Sequence, residues 1–372
     1  MKHDLAAAMS RATELVRAGN PAAATQLIQS SLNPGGTAPQ HRPQPSLFAA
    51  FSQPEVGHPA KRSGLRDTLA ALAKKMPAQA RTGPQPAEPV LANGARFSQD
   101  TFSHAAGSRE YRTYIPGKPQ TPPAGMILML HGCTQNPVDF ANGTAMNRLA
   151  EAHGLIVVYP AQSRGANMQS CWNWFSPADQ ERDKGEPALL AGMVRHVQAE
   201  HGVPEGKVYV AGLSAGAAMA VILGRTHPDT FAAVGAHSGL AYKSARDVPS
   251  AFAAMAGNGA AGSPASGQSV PTIVFHGTSD STVNVANGQR IADEARGKGT
   301  ELLDEGTSNG RKYSRSTTLC AQGHAALEYW RVEGLGHAWS GGDAAGSYTD
   351  PTGPDASAEM VRFFLSVADR RS

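Results

Sequence analysis

From about residue 95 the chain alternates short apolar runs with segments of helical period. Runs at Tyr111–Ile115, Met126–Leu130, Leu155–Tyr159, Val208–Val210, Ala232–Gly235, Thr272–Phe275 and Leu327–Val332 have the length of strands. Helix-like segments lie at about 143–153, 187–201, 215–227, 284–296 and 355–368. Several runs are continuous rather than alternating, as in strands buried on both faces of a parallel sheet. The pattern predicts an α/β fold over residues 95–372, a mainly parallel sheet flanked by helices. Functional loops in such a sheet gather at the carboxyl ends of the strands.

The first part of the chain follows another pattern. Residues 1–32 read as a helical hairpin: Leu5, Met9, Ala12 and Val16 recur at helical spacing, then Gly19, Asn20 and Pro21 supply a stop, an N-cap and a first-turn proline. Residues 33–94 hold ten of the 26 prolines and no sustained period beyond a short helix at Leu65–Lys75, which predicts a largely flexible linker.

Composition narrows the function classes. Hydrophobic residues make up 41% of 372, which suits a large buried core, and the net charge of +3 is spread along the chain. No basic stripe argues for nucleic acid, and no segment approaches the length of a membrane span. The start, MKHDLAAAMSRATELVRAGN, interrupts with charge the apolar core that a secretory signal needs, so a cytoplasmic location is the expectation and an extracellular one the alternative. Three cysteines form neither C-x-x-C nor any zinc spacing, and no metal or cofactor is expected. Oligomeric state is left open.

The sharpest local signal is KVYVAGLSAGAAMA, in which a β-branched run, a serine between glycines and an alanine-rich helix follow one another. This is the order of a nucleophile elbow, where the turn is too sharp for side chains at Gly212 and Gly216 and leaves Ser214 projecting beside a helix N-terminus. A serine hydroxyl needs a histidine base, and the histidine needs a carboxylate to hold its tautomer. Asp280 in PTIVFHGTSD and His337 in EYWRVEGLGHAWSGG follow successive strands in the chain order of α/β-hydrolases. Asp293, Asp304, Asp343, Asp350 and Asp355 compete for the acid, and His131 and His276 for the base, although a histidine before a glycine at a strand end more often bonds to backbone.

An oxyanion hole requires backbone N–H groups aimed at charge that appears in the transition state. Ala215 supplies one from the elbow, and the loop MILMLHGCTQN places His131, Gly132 and Cys133 where the second belongs. Cys133 as the nucleophile itself is a rival reading.

HGCTQ, CWNWF, GLSAGAAM, HGTSD and GLGHAWSGG, in this order over residues 95–368, resemble the poly(3-hydroxybutyrate) depolymerase family of esterases, which also holds feruloyl and acetylxylan esterases. The resemblance implies the α/β-hydrolase fold, a Ser214, Asp280 and His337 triad, and the Cys133 amide as oxyanion donor. Its specificity lies in HGCTQ with CWNWF and HAW. The hairpin and proline-rich linker also resemble those of a bacterial subgroup of these esterases. Secreted members that attack solid polyester carry a signal peptide and a separate substrate-binding domain; neither is read here, so soluble short esters and oligomers are the expected substrates rather than crystalline polymer.

Two expectations concern the loops. If the HGCTQ and CWNWF loops meet over the site, Cys133 and Cys171 can form a disulfide with Cys320 outside it; three buried thiols are the alternative. Trp172, Trp174, Phe175 and Trp339 are expected to wall an uncharged cleft beside Ser214, with Trp339 foremost because it stands two residues after His337. The leading reading is a serine esterase acting through an acyl-enzyme on a small-molecule or oligomeric ester. Amide cleavage on the same triad, or a non-catalytic polyester-granule-binding module, are the alternatives.

Overall fold

The computed structural model describes residues 86–259, 270–297 and 299–368. The hairpin expected at 1–32, the helix at 65–75 and the linker up to residue 85 lie outside the described residues. Within them, residues 86–95 carry neither helix nor strand, and Glu88 pairs with Arg112 at 2.8 Å.

Ten strands form one sheet. In chain order they are β1 (Arg96–His104), β2 (Gly107–Ile115), β3 (Gly125–Leu130), β4 (Leu155–Pro160), β5 (Val208–Leu213), β6 (Ala233–His237), β7 (Thr272–Gly277), β8 (Thr300–Ser308), β9 (Arg311–Leu319) and β10 (Ala325–Val332). Their spatial order is β1-β2-β4-β3-β5-β6-β7-β10-β9-β8. The six central strands, β4 to β10 in that order, are parallel, and antiparallel pairs flank them at both edges. Strands β3 to β7 are buried along their whole length, as their continuous apolar runs require.

The helices are α1 (Pro137–Thr144), α2 (Met146–His153), α3 (Gly185–His201), α4 (Ala215–Thr226), α5 (Val248–Ala253), α6 (Ala286–Ala295) and α7 (Ala356–Ala368). Side-chain alternation along the strands divides the core in two. Met126, Leu128 and Leu130 of β3 pack with Leu190 and Val194 of α3 and Met219 and Leu223 of α4; Ile127 and Met129 face the other way, with Phe140 of α1, Met146 of α2 and Phe364 of α7. Helices therefore cover both faces, the α/β-hydrolase arrangement. The chain passes from β3 to β4 on one side and returns to β5 on the other, so the carboxyl ends of β3 and β5 form a topological switch point.

Three differences from the sequence pattern stand out. The helix expected over 143–153 is two helices, broken at Ala145, which adopts a left-handed φ of 50°. Edge strands β1, β8 and β9 were not anticipated: β8, TELLDEGTS, is exposed along most of its length and shows no apolar face. A third, short pair, β11 (Trp339–Ser340) with β12 (Thr349–Asp350), anchors the loop carrying His337.

Candidate active site

Ser214 sits between β5 and α4 with φ 58° and ψ −119°, a conformation that a non-glycine residue adopts only when its surroundings enforce it. Packing explains why glycines flank it. A Cβ on Gly216 would lie 2.0 Å from the Leu130 carbonyl oxygen, and one on Gly212 would lie 2.4 Å from the Gly216 carbonyl carbon. Strand β3 and the start of α4 thus approach so closely that the turn admits no side chain, as the elbow motif requires.

Asp280 lies in the turn after β7, and His337 in the loop after β10. The His337 Nδ1 is 2.8 Å from Asp280 Oδ2. The other carboxylate oxygen, Oδ1, accepts the N–H groups of Thr282 and Val283 at 2.9 and 2.8 Å. Burial raises the Asp280 carboxyl, but the bond and charge of His337, the Val283 N–H and the nearby His276 outweigh it and hold the group below its ordinary value. An ionised Asp280 only accepts, so the proton of His337 sits on Nδ1 and Nε2 keeps its lone pair. The competing acids are engaged elsewhere: Asp304 with Arg315, Asp350 with Arg311, Asp293 with Gln289, Asp343 with the Ala345 amide, and Asp355 with the Ala358 amide of α7. His131 and His276 both bond backbone: His131 Nδ1 donates to Gly132 O at 2.7 Å, and His276 Nε2 to Val283 O at 2.8 Å.

The structure joins Asp280 to His337 directly and Ser214 to their loop indirectly. Among the described residues Ser214 Oγ has no hydrogen-bond partner. Its backbone N–H donates to the carbonyl of His237 at 2.9 Å, and the His237 ring Nε2 accepts the N–H of Ser340, three residues after His337, at 3.0 Å. Burial pushes the His237 imidazole down to about 3, with the neighbouring His276 and His337 adding to the effect, so the ring stays a neutral acceptor.

The HGCTQ loop is tied in place. Gly132 N–H donates to Gln135 Oε1 at 2.9 Å, Thr134 N–H to Gln169 O at 2.7 Å, and Gln135 N–H to Gly132 O at 3.3 Å. The Cys133 N–H between them has no acceptor among the described residues. The Ala215 N–H opens α4, where helix geometry leaves it without an intrahelical partner. Cys133 and Cys171 form a disulfide with a Cα–Cα distance of 4.3 Å, and Cys320 stands outside it. With its sulfur in that bond, Cys133 has no thiolate to offer as a nucleophile.

Residues 109–299, just over half of the chain, match the family described as esterase PHB depolymerase. This chain belongs to that family. It is 31% identical over 250 residues to a poly(3-hydroxyalkanoate) depolymerase C of Paucimonas lemoignei, covering 63% of this chain and 60% of the relative. A poly(3-hydroxybutyrate) depolymerase of Ralstonia pickettii is 30% identical over 297 residues, covering 70% and 58%. The match thus spans about 60% of the length of each of these depolymerases. A feruloyl esterase B of Talaromyces funiculosus is 26% identical over 271 residues, 67% of this chain and 74% of that protein. Among solved structures, an acetyl xylan esterase from Aspergillus awamori superposes with a TM-score of 0.56 at 20% identity, over 73% of this chain and 99% of that one, which supports the fold.

Within this esterase family framework, the aromatic residues depart from expectation. Trp339 is 1% exposed: its Nε1 donates to Ser357 Oγ at 3.0 Å, and its ring stacks on His237 and meets Phe140 edge-on. Trp172 is fully buried and donates to the His131 carbonyl, and Trp174 is 5% exposed against Phe175. These three tryptophans brace the loops from behind instead of walling a cleft. A large ring gains more from full burial than from a wet cleft, provided its N–H finds an acceptor, as two of them do here. Phe175 alone of the four is half-buried. Sequence reading missed Tyr348, whose ring meets that of His337 edge-on at 6.4 Å and whose hydroxyl lies 3.3 Å from Thr134 Oγ1. It also missed His237, whose role follows from one bond 23 positions back to Ser214 and another 103 positions on to Ser340. Among the described residues no three His, Cys, Asp or Glu side chains gather to hold a metal ion, and no helix is long and apolar enough to cross a membrane.

Proposed function

We propose that this protein is a serine esterase that cleaves carboxylic esters through an acyl-enzyme. The observation that carries the reading is the Asp280–His337 bond, held on a loop that His237 ties to the strained Ser214 elbow. Ser214 Oγ attacks the ester carbonyl carbon as its proton passes to His337 Nε2. The Cys133 and Ala215 N–H groups receive the oxyanion. Collapse breaks the carbon–oxygen bond to the alcohol, which leaves with the proton from His337; water then repeats the sequence, releases the acid and restores Ser214.

The names of the relatives support three ester classes: hydroxyalkanoate, feruloyl and acetylxylan. Short-chain hydroxyalkanoate esters or oligomers are the reading favoured here, since the two depolymerases are 31% and 30% identical over 250 and 297 residues, against 26% over 271 for the feruloyl esterase. The Cys133–Cys171 bond supports an oxidising compartment, the extracellular alternative to the cytoplasm.

A serine-directed fluorophosphonate tests the activity class. Labelling confined to Ser214, and lost in Ser214→Ala, is expected; an unlabelled but folded protein would favour the binding module. A panel of hydroxybutyrate oligomers, methyl ferulate and acetylated xylan then ranks the substrates, and the highest kcat/KM is expected on the hydroxybutyrate oligomers.

A further inference from the structure

Tyr348 occupies the gap between the oxyanion loop and the base. Its ring lies edge-on to His337 and its hydroxyl reaches Thr134, the neighbour of the proposed oxyanion donor Cys133. Its backbone sits at φ 53°, a left-handed conformation that is an outlier for a bulky aromatic residue. The Trp339 N–H holds it there, donating to the Tyr348 carbonyl at 2.7 Å, while Ser347 beside it donates its N–H to Asp139 at 2.8 Å. Strain of this kind persists at functional sites where surrounding contacts over-determine the residue. Thr134, across the gap, is left-handed as well, at φ 67°.

The proton order of this contact can be assigned. Thr134 Oγ1 donates to its own neighbour's carbonyl, Cys133 O, at 2.6 Å. A hydroxyl has one proton, so at the 3.3 Å contact Tyr348 Oη donates and Thr134 Oγ1 accepts. The lone pairs of Tyr348 Oη are then free, on a half-buried side chain facing the site, and the O–H chain running to Cys133 O strengthens them as acceptors.

From this juxtaposition of Tyr348, Thr134 and His337 we infer that Tyr348 Oη is a specificity-determining acceptor for a hydroxyl group on the alcohol side of the substrate ester. The alcohol side follows from His337, which must deliver its proton to the departing oxygen and whose ring Tyr348 flanks. Esters whose leaving alcohol carries a second hydroxyl, such as those of diols and sugars, are favoured over matched ethers. The inference rests on the esterase reading above and not on the ranking of hydroxybutyrate oligomers, whose leaving unit carries no second hydroxyl.

The test compares kcat/KM for 2-hydroxyethyl and 2-methoxyethyl butyrate in the wild type, Tyr348→Phe and Thr134→Val. One neutral hydrogen bond predicts a wild-type preference for the hydroxyethyl ester of about three- to tenfold. That ratio is expected to fall to about one in Tyr348→Phe, whatever happens to absolute rates. In Thr134→Val the tyrosine proton loses its acceptor and turns to the substrate, so the ratio is expected to move toward the methoxy ester. Equal ratios in all three proteins would overturn the inference, as would a preference for the ether in the wild type. A loss of discrimination seen only between ethyl 3-hydroxybutyrate and ethyl butyrate would overturn the placement on the alcohol side. A wild type that hydrolyses none of these esters would instead count against the esterase reading itself.

Discussion

His237 and Ser340 are joined by a bond from the Ser340 N–H to the His237 Nε2 at 3.0 Å, in a site where both residues are buried. The His237 carbonyl meanwhile receives the Ser214 N–H. One residue at the end of β6 therefore links the Ser214 turn to the loop of His337, the proposed nucleophile and base. Removing its acceptor leaves a buried N–H unsatisfied, at a cost of about 1–3 kcal/mol, and frees the loop to shift. His237→Phe is expected to lower kcat by at least about tenfold with a smaller change in KM, since even small misplacement of catalytic groups is costly. His237→Gln, which restores an acceptor, is expected to recover part of the loss. Equal kinetics in Phe and Gln variants of equal stability would remove the positioning role.

Asp280→Asn keeps the shape of the acid but offers a donor where an acceptor is needed, so His337 loses its Nδ1–H tautomer. The expected loss in kcat is about 10⁴-fold. Because the folded carboxyl is held below its ordinary value, its stabilising contribution is present above the unfolded value and disappears only as the pH falls through the lower folded one. In an infrared difference spectrum of wild type minus variant, the Asp280 carboxylate band is therefore expected to persist from pH 8 to pH 5. Its replacement by a protonated carboxyl band across that window would show Asp280 already taking up protons there.

The Cys133–Cys171 bond pins the loop of the proposed oxyanion donor to the CWNWF segment. Denatured, unreduced protein is expected to titrate a single thiol, Cys320, and three after reduction. Cys133→Ser retains the backbone N–H and loses the pin, so it should retain measurable turnover, reduced by roughly tenfold if donor placement suffers as in other misaligned sites. Full activity in that variant would show that the hydrogen bonds of Gly132, Thr134 and Gln135 hold the loop unaided.

Glu186 is buried beneath the CWNWF loop, where its carboxyl accepts the Asn173 N–H at 2.7 Å and a close contact from Gln162 Nε2. Burial, then the charge of Asp179, pushes it up to about 7 against the opposing pull of those bonds and of Arg109. A carboxyl raised on folding binds its proton more tightly in the folded state, so its contribution to stability falls as pH rises from the ordinary carboxylate range to about 7. Glu186→Gln has no such titration. The Tm of the variant minus that of the wild type is expected to grow from pH 5 to pH 8; the opposite trend would mean that the bonds favour the ionised form.

The repeating parts of this protein were legible in its sequence. Runs such as MILML, LIVVY and TIVFH are apolar without alternation, and such segments are stable only in the middle of a covered sheet. The Ser214 turn was legible for a steric reason, since Gly212 and Gly216 mark where backbones touch. Asp280 and His337 were singled out by their places at strand ends, although the strands that carry them, β7 and β10, are neighbours in the sheet with β8 and β9 between them in the chain. One edge signal was overlooked: Asn309–Gly310, both at positive φ, joins β8 to β9 as a two-residue hairpin turn, the pairing that Asn-Gly favours.

Other features depend on contacts across distant parts of the chain. Whether an indole faces substrate or core depends on what stands behind it, and Ser357 and Phe140 draw Trp339 inward although His337 is two residues away. The open amide at Cys133 is defined by its neighbours finding acceptors, one of them on Gln169. His237 bridges Ser214 and Ser340 because β6 ends between their loops, and Tyr348 meets Thr134 across 214 positions of chain. Local composition determined the central strands, most of the helices and the elbow, because those depend on period and sterics within a few residues. The placement of His337, Ser214 and the Cys133 amide, the proposed base, nucleophile and oxyanion donor, was decided by tertiary structure, because hydrogen bonds between loops follow the order of strands in the sheet rather than their order in the chain.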